Sequence, residues 1–315
     1  MNSNPAEPPD ANRRSLIWLA GIVAGDVAVG LQYGVAALML KQINLSGRLG
    51  IPSLFLVPAL GGLIASYIWR SLRPSIGLTV LNSIWMTLLA MVLAMIAFHE
   101  GAICILILSP LYFLSVLTGV VIGRVIFKAD PTRLQVSFLP LLMLVFMAEP
   151  FLRSARQSVV RDEMIIRAPP AKVWGEVKAF PPIASRPIFW LFRIGLPYPV
   201  ATTSAGDFVN ARRECIFSHD AIFKERVVEF IPAEKLTFEI VESPPDPELI
   251  GHLTPQRGQF LLRSNPDGTT TLVGSTWYTL QVRPLWYFDL WTHHIFRAVH
   301  LRVMEDIRRR AESAQ

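Results

Sequence analysis

Cysteine is nearly absent. The 315 residues hold two, Cys104 and Cys215, which excludes a disulfide framework and any cysteine-based zinc or redox motif. Cys104 sits in an apolar run, where it acts as a small hydrophobe, and Cys215 falls in a predicted strand. Charge is also scarce, and unevenly so. Between Leu16 and Ile122 only Asp26, Lys41, Arg48, Arg70, Arg73 and Glu100 are charged. So few charges over so long a stretch exclude a water-exposed fold there and fit a membrane composition. The formal net charge is +6, but Lys and Arg gather at the ends of apolar segments and in one helix end. No basic stripe with interleaved aromatics is present, so nucleic acid is excluded as a partner.

The long apolar runs are what the first half does have. A polar, proline-rich tail (residues 1–15) is predicted to be disordered. Residues 16–152 then read as a membrane region of four or five helices: Leu16–Leu40, Ile51–Trp69, Ile76–Phe98, Ala102–Phe127, and a fifth segment at Leu134–Leu152. Each of the first four can cross a hydrocarbon core of about 30 Å. The fifth holds Pro140 and ends in Glu149–Pro150, and it either spans or lies in the interface. Asp26 is the one acid deep in a span. Gly21, Gly25 and Gly30 surround it, so close helix approach would let it bond a neighbour. The Gly61–Gly62 pair reads as a packing feature or a kink.

Basic loops set the orientation. Arg13 and Arg14, then Arg70 and Arg73, then Arg124, Lys128 and Arg133 mark the inside, and the loop with His99 and Glu100 the outside. This predicts a multi-pass protein of a bacterial-type inner membrane. The fifth segment decides the side of the remaining chain. Its length favours crossing, which makes that part periplasmic; without crossing it is cytoplasmic.

Residues 153–315 have ordinary charge and a different rhythm. Val159–Arg167 predicts a strand, and a helix follows from Ala171. Phe180–Val200 carries five prolines and reads as irregular. The period then becomes two, with strands at Arg212–Phe217, Phe223–Phe230, Lys235–Val241, Gly258–Ser264 and Thr270–Val282. Asn265-Pro266-Asp267-Gly268 is the strongest turn signal. A helix at Trp286–Glu312 shows Ile295, Val299, Val303 and Ile307 on one face. The class is α+β: an antiparallel sheet around a long C-terminal helix, preceded by an all-α transmembrane region. A sheet curled around one helix leaves a cavity where side chains do not fill it.

The stretch Ile166-Arg167-Ala168-Pro169-Pro170-Ala171-Lys172-Val173-Trp174 resembles the opening of START-like domains, the Bet v 1-like, polyketide cyclase and lipid-transfer (SRPBCC) superfamily. The terminal helix and the Asp267–Gly268 hairpin are similar to that family's helix-grip fold, and the likeness covers residues 158–312. The resemblance implies a central cavity for a small hydrophobic ligand: a lipid, isoprenoid or polyketide-like molecule. It implies no cofactor and no fixed catalytic set. The bilayer, and a membrane protein, are the other partners expected.

Candidate residues follow. Trp174, Trp190, Trp277 and Tyr278 offer rigid apolar area. Glu214 and Glu225 are candidate polar contacts on adjacent strands, facing each other or a basic partner. His252 and His293 are candidate ligand contacts. His293 and His300 lie about 10.5 Å apart along a helix, too far to share a metal ion, and no His-Glu-x-x-His pattern exists. No serine or threonine sits in a nucleophile elbow. Three readings stay open: binding without chemistry; a cyclase, aromatase or hydratase using Glu214, Glu225, His219, His252, Tyr278 or His293 as acids and bases; and an interaction module without ligand.

Overall fold

The computed structural model describes residues 11–42, 52–72, 74–98, 101–129, 156–246 and 253–313. The fifth apolar segment, most of the N-terminal tail and His252 lie outside the described residues. The chain divides into two compact units, Met1–Arg153 and Ser154–Gln315.

The first unit is helical: α1 (Ala11–Gln42), α2 (Val57–Trp69) behind a wide turn at Pro52–Leu56, α3 (Ile76–Phe98) and α4 (Ala102–Ala129). Four helical stretches among the described residues, Asn12–Val35, Leu54–Leu72 (α2 with the turns that flank it), Ile76–Ala97 and Ala102–Lys128, are long and apolar enough to cross a membrane. Lipid tails offer no hydrophobic drive for helix association, so close backbone packing must hold such a bundle. Glycine provides it here. A Cβ on Gly119 of α4 would lie 1.8 Å from the Ala59 carbonyl oxygen of α2, and one on Gly62 would lie 2.2 Å from that of Val116. Gly61, one residue over, turns to α1, where a Cβ on Gly25 would lie 2.7 Å from its carbonyl. The glycine pair is thus a packing feature, one residue for each neighbour. The polar residues of α3 satisfy themselves on their own helix: Ser83 Oγ donates to Thr79 O and Thr87 Oγ1 to Ser83 O, both at 2.9 Å. Asp26 departs from expectation. It is buried, yet neither carboxyl oxygen has a hydrogen-bond partner among the described residues.

The second unit is a helix-grip fold. Its elements are β1 (Arg156–Ile166), α5 (Pro170–Lys178), α6 (Trp190–Arg193), β2 (Pro199–Ser204), β3 (Arg212–Phe217), β4 (Ile222–Ile231), β5 (Lys235–Glu242), β6 (Leu253–Ser264), β7 (Thr270–Leu280) and α7 (Leu285–Ser313). The strands form one antiparallel sheet in the order β1-β7-β6-β5-β4-β3-β2. At the β6–β7 hairpin Gly268 takes φ +80° and Asp267 accepts from the Thr269 N–H. Helices α5 and α7 close the core through Val173, Trp174 and Val177 on one side and Val303, Met304 and Ile307 on the other.

Two strand assignments extend the sequence reading, and proline explains both. Pro199 opens β2, an edge strand, where its missing donor costs no ladder bond. Pro255 lies within β6 beside a bulge between Pro255 and Arg257, so that strand begins at Leu253 rather than Gly258. The proline-rich segment before β2 is packed, not loose. Leu191 and Phe192 are buried, and Arg302 of α7 donates to Pro199 O (2.9 Å) and Ser185 O (3.0 Å).

Candidate functional site

A cavity of about 140 Å³ lies between the concave face of the sheet and α7. Its wall is mainly apolar, with Phe180, Phe217, Phe223, Phe238, Phe260 and Phe296 among the lining residues. Strand parity decides which side chains enter. Arg213 on β3 stands opposite Glu225 on β4, and Cys215 opposite Phe223; all four line the cavity. Glu214 pairs in register with Lys224 on the other face.

Arg213 and Glu225 form a buried ion pair. Arg213 Nη1 donates to Glu225 Oε2 at 2.6 Å, with side-chain exposures of 2% and 5%. Burial pushes the Glu225 carboxyl above its usual range, and the charge and hydrogen bond of Arg213 pull the other way. The guanidinium lies 4.4 Å from the Phe238 ring centroid, a cation–π contact. Gly258 of β6 makes room for that ring, since a Cβ there would lie 2.3 Å from it. So Gly258 positions Phe238, and Phe238 supports Arg213. Arg213 Nε is buried and has no hydrogen-bond partner. Cys215 next to it has its thiol pushed up to about 12, first by burial and then by the charge of Glu225. It is a protonated, inert thiol at neutral pH.

A second polar group reaches the cavity from α7. His300 Nδ1 is 2.8 Å from Asp162 Oδ2 of β1, and His300 Nε2 is 2.8 Å from Thr276 Oγ1 of β7. A carboxylate only accepts, so Nδ1 carries the proton toward Asp162; in the Nδ1–H tautomer Nε2 is left to accept from the Thr276 hydroxyl. Arg297 Nη1 lies 3.6 Å from the other Asp162 oxygen. Thr276 and His300 line the cavity and Asp162 stands behind them, 7% exposed. Gly274 lets α7 come this close. It faces Asp162 in the β1–β7 register, and a Cβ there would lie 3.0 Å from Met304 Sδ and 3.7 Å from His300 Cγ.

Of the candidate ligand contacts and acid–base residues named from sequence, Glu225 alone is a lining residue among those described. Glu214 is a correction: parity turns it outward, where it is exposed. Trp174 is in the core, edge-on to Phe230 at 5.3 Å. Trp190 is 47% exposed and packs on Trp291. Trp277 is half-buried, on the opposite face of β7 from Thr276 by parity. Tyr278 is buried with its hydroxyl donating to Asp289 at 2.7 Å; burial and that bond hold its pKa above the usual value. His293 and His219 are exposed, the latter in the β3–β4 turn with φ +60°. Among the described residues no group of three or more His, Cys, Asp or Glu could hold a metal ion.

Arg213, Asp162, Thr276 and His300 were missed as site residues. One signal was available for Asp162. Val160, Asp162, Met164 and Ile166 share one phase of β1, so Asp162 is the single acid on the apolar face of that strand.

No family model and no curated protein matches the sequence. Among solved structures, the chain is similar to norcoclaurine synthase from Thalictrum flavum in complex with dopamine and hydroxybenzaldehyde. That match is 13% identical and covers 51% of this chain and 90% of that one, with a TM-score of 0.36. It is also similar to a protein from Nitrosospira multiformis (16% identical, covering 50% and 100%, TM-score 0.35). A third likeness is to a protein from Mesorhizobium loti (16% identical, covering 50% and 99%, TM-score 0.34).

Proposed function

We propose that the second unit binds a small, mostly apolar molecule bearing one hydrogen-bond acceptor, preferably a carboxylate, and that the apolar helices tether this activity to a membrane. The observation that carries the reading is Arg213 Nε: a donor buried in an apolar cavity and left without a partner. A buried unpaired donor costs about 1–3 kcal/mol, and a ligand oxygen removes that cost. Volume bounds the ligand. A dry cavity of roughly 150 Å³ takes a benzene ring, so about 140 Å³ suits one ring or a short branched chain. A whole lipid would place only a small part of itself inside. Isoprenoid-sized acids or single aromatic acids fit better.

The test uses the full chain in mild detergent with 4-fluorobenzoate and 4-fluorotoluene, each followed by fluorine NMR. Both should bind, the benzoate at least tenfold more tightly, and Arg213→Met should erase that preference. Equal affinity in the unchanged protein would remove the anchoring role of Arg213. Binding of neither probe would defeat the cavity reading.

A second reading, catalysis in the same cavity, is favoured by the Asp162–His300–Thr276 geometry.

A further inference from the structure

The geometry points to Thr276, His300 and Asp162 as a nucleophile, base and orienting acid for acyl transfer, acting on small carboxylic esters held in the cavity. The inference rests on the reading that the cavity takes a ligand. Nucleophile and base within hydrogen-bond reach, with the base oriented by a third group, is the signature of an activated hydroxyl. Both distances here are 2.8 Å. The three residues come from three elements, β7, α7 and β1, and His300 is only 7% exposed. Its free path to a small molecule is through the cavity wall that it shares with Thr276. A purely structural link between helix and sheet needs no basic nitrogen turned to a cavity hydroxyl.

The step balances without any cofactor. Thr276 Oγ attacks the ester carbonyl carbon; the Oγ–C bond forms as the hydroxyl proton passes to His300 Nε2. The C–O bond to the alcohol then breaks, and His300 returns the proton to the leaving oxygen. Water attacks the acyl-threonine by the same route in reverse, releasing the acid. Asp162 remains the acceptor of Nδ1–H and holds the tautomer; it is a positioning residue. Arg297 is the cation beside it, at 3.6 Å. Backbone N–H groups of β7 are engaged with β1 and β6, so the strand supplies no oxyanion donors. Loss of one such donor lowers turnover roughly 10²–10³-fold, so slow turnover is expected. A stoichiometric label is the sharper readout.

The full chain in detergent is treated with phenylmethanesulfonyl fluoride, a single-ring probe whose sulfur takes the threonine oxygen as fluoride leaves. Peptide mass spectrometry should place the adduct on Thr276. Thr276→Ser should keep the adduct, Thr276→Val should lose it, and His300→Gln should slow it at least tenfold. Asp162→Asn should slow labelling and shift its pH profile, which a merely structural change would not do. Hydrolysis of 4-nitrophenyl acetate should follow the same order. Binding of 4-fluorotoluene, measured in every variant, reports an intact cavity. If that probe binds and Thr276 stays unlabelled, or labels equally fast in His300→Gln, the acyl-transfer inference falls while the binding reading stands. If neither 4-fluorotoluene nor 4-fluorobenzoate binds the unchanged protein, both fall.

Discussion

Arg213 and Glu225 face each other across β3 and β4, joined at 2.6 Å and shut off from water, while Arg213 Nε stays unpaired. Two charges this deep rarely stabilise a fold more than well-packed apolar residues would, yet removing one alone leaves the other uncompensated. Glu225→Ala should therefore cost about 3–5 kcal/mol. The double replacement Arg213→Met with Glu225→Leu should recover most of that loss while losing the carboxylate preference. Urea titration of the full chain measures the first, and 4-fluorobenzoate binding the second. A double variant as unstable as Glu225→Ala would mean that the pair is needed for folding itself.

Cys215 gives a probe of the same wall. Burial holds its thiol at about 12 against an ordinary 9. Since only the thiolate alkylates, at pH 8 the folded protein should react with iodoacetamide about a thousandfold more slowly than an exposed cysteine. Cys104→Ser isolates the signal, and urea should restore full reactivity. Fast alkylation of the folded chain would show the wall to be open.

Legibility from sequence differed between fold and site for a physical reason. Alternation along β3 and β4 and the Asn265–Gly268 turn are local, and local pattern carried six of the seven strands. Parity along one strand shows that Arg213 and Glu214 face opposite ways. It does not show which way is inward, since both phases carry charge. That choice belongs to the register, which sets Arg213 against Glu225. The His300 site is further from sequence still. Asp162 and His300 are 138 positions apart, and they meet only through the packing of α7 on the sheet. The aromatics were read without their facing: Trp174 lies in the core between sheet and helix, whereas Trp277 is half-buried on the other face of β7.

Gly258 and Gly274 are the positions where backbone must come close. Gly258→Val drives a side chain into Phe238, whose ring would lie 2.3 Å from the new Cβ. The overpacking should cost about 1–3 kcal/mol and weaken 4-fluorobenzoate binding as Phe238 leaves the guanidinium. Gly274→Val should cost a similar amount but leave the benzoate preference in place, because it presses on Met304 and His300 instead. Urea midpoints and fluorine NMR on both variants test the separation. Loss of the preference in both would mean that the two polar groups share one support.

In the first unit, insertion and packing rest on different residues, so they should separate by mutation. Hydropathy and length make four helical stretches able to cross a membrane, whereas Gly62 and Gly119 let α2 and α4 touch backbone to backbone. Gly119→Leu adds apolar surface, so it should leave the chain in the membrane pellet after alkaline carbonate extraction. The same change puts a side chain where a Cβ would already lie 1.8 Å from the Ala59 carbonyl oxygen. Helices held by small-residue contact have no hydrophobic drive to compensate, so α2 and α4 must part. The variant should aggregate at a lower temperature in detergent. Combined with Ser66→Cys, at a buried α2 position that faces Gly123, it should also expose the introduced thiol to maleimide. A variant that stays inserted, with unchanged heat stability and a thiol that remains protected, would show that the contact contributes nothing. Release of the unchanged protein by carbonate would refute the membrane assignment itself.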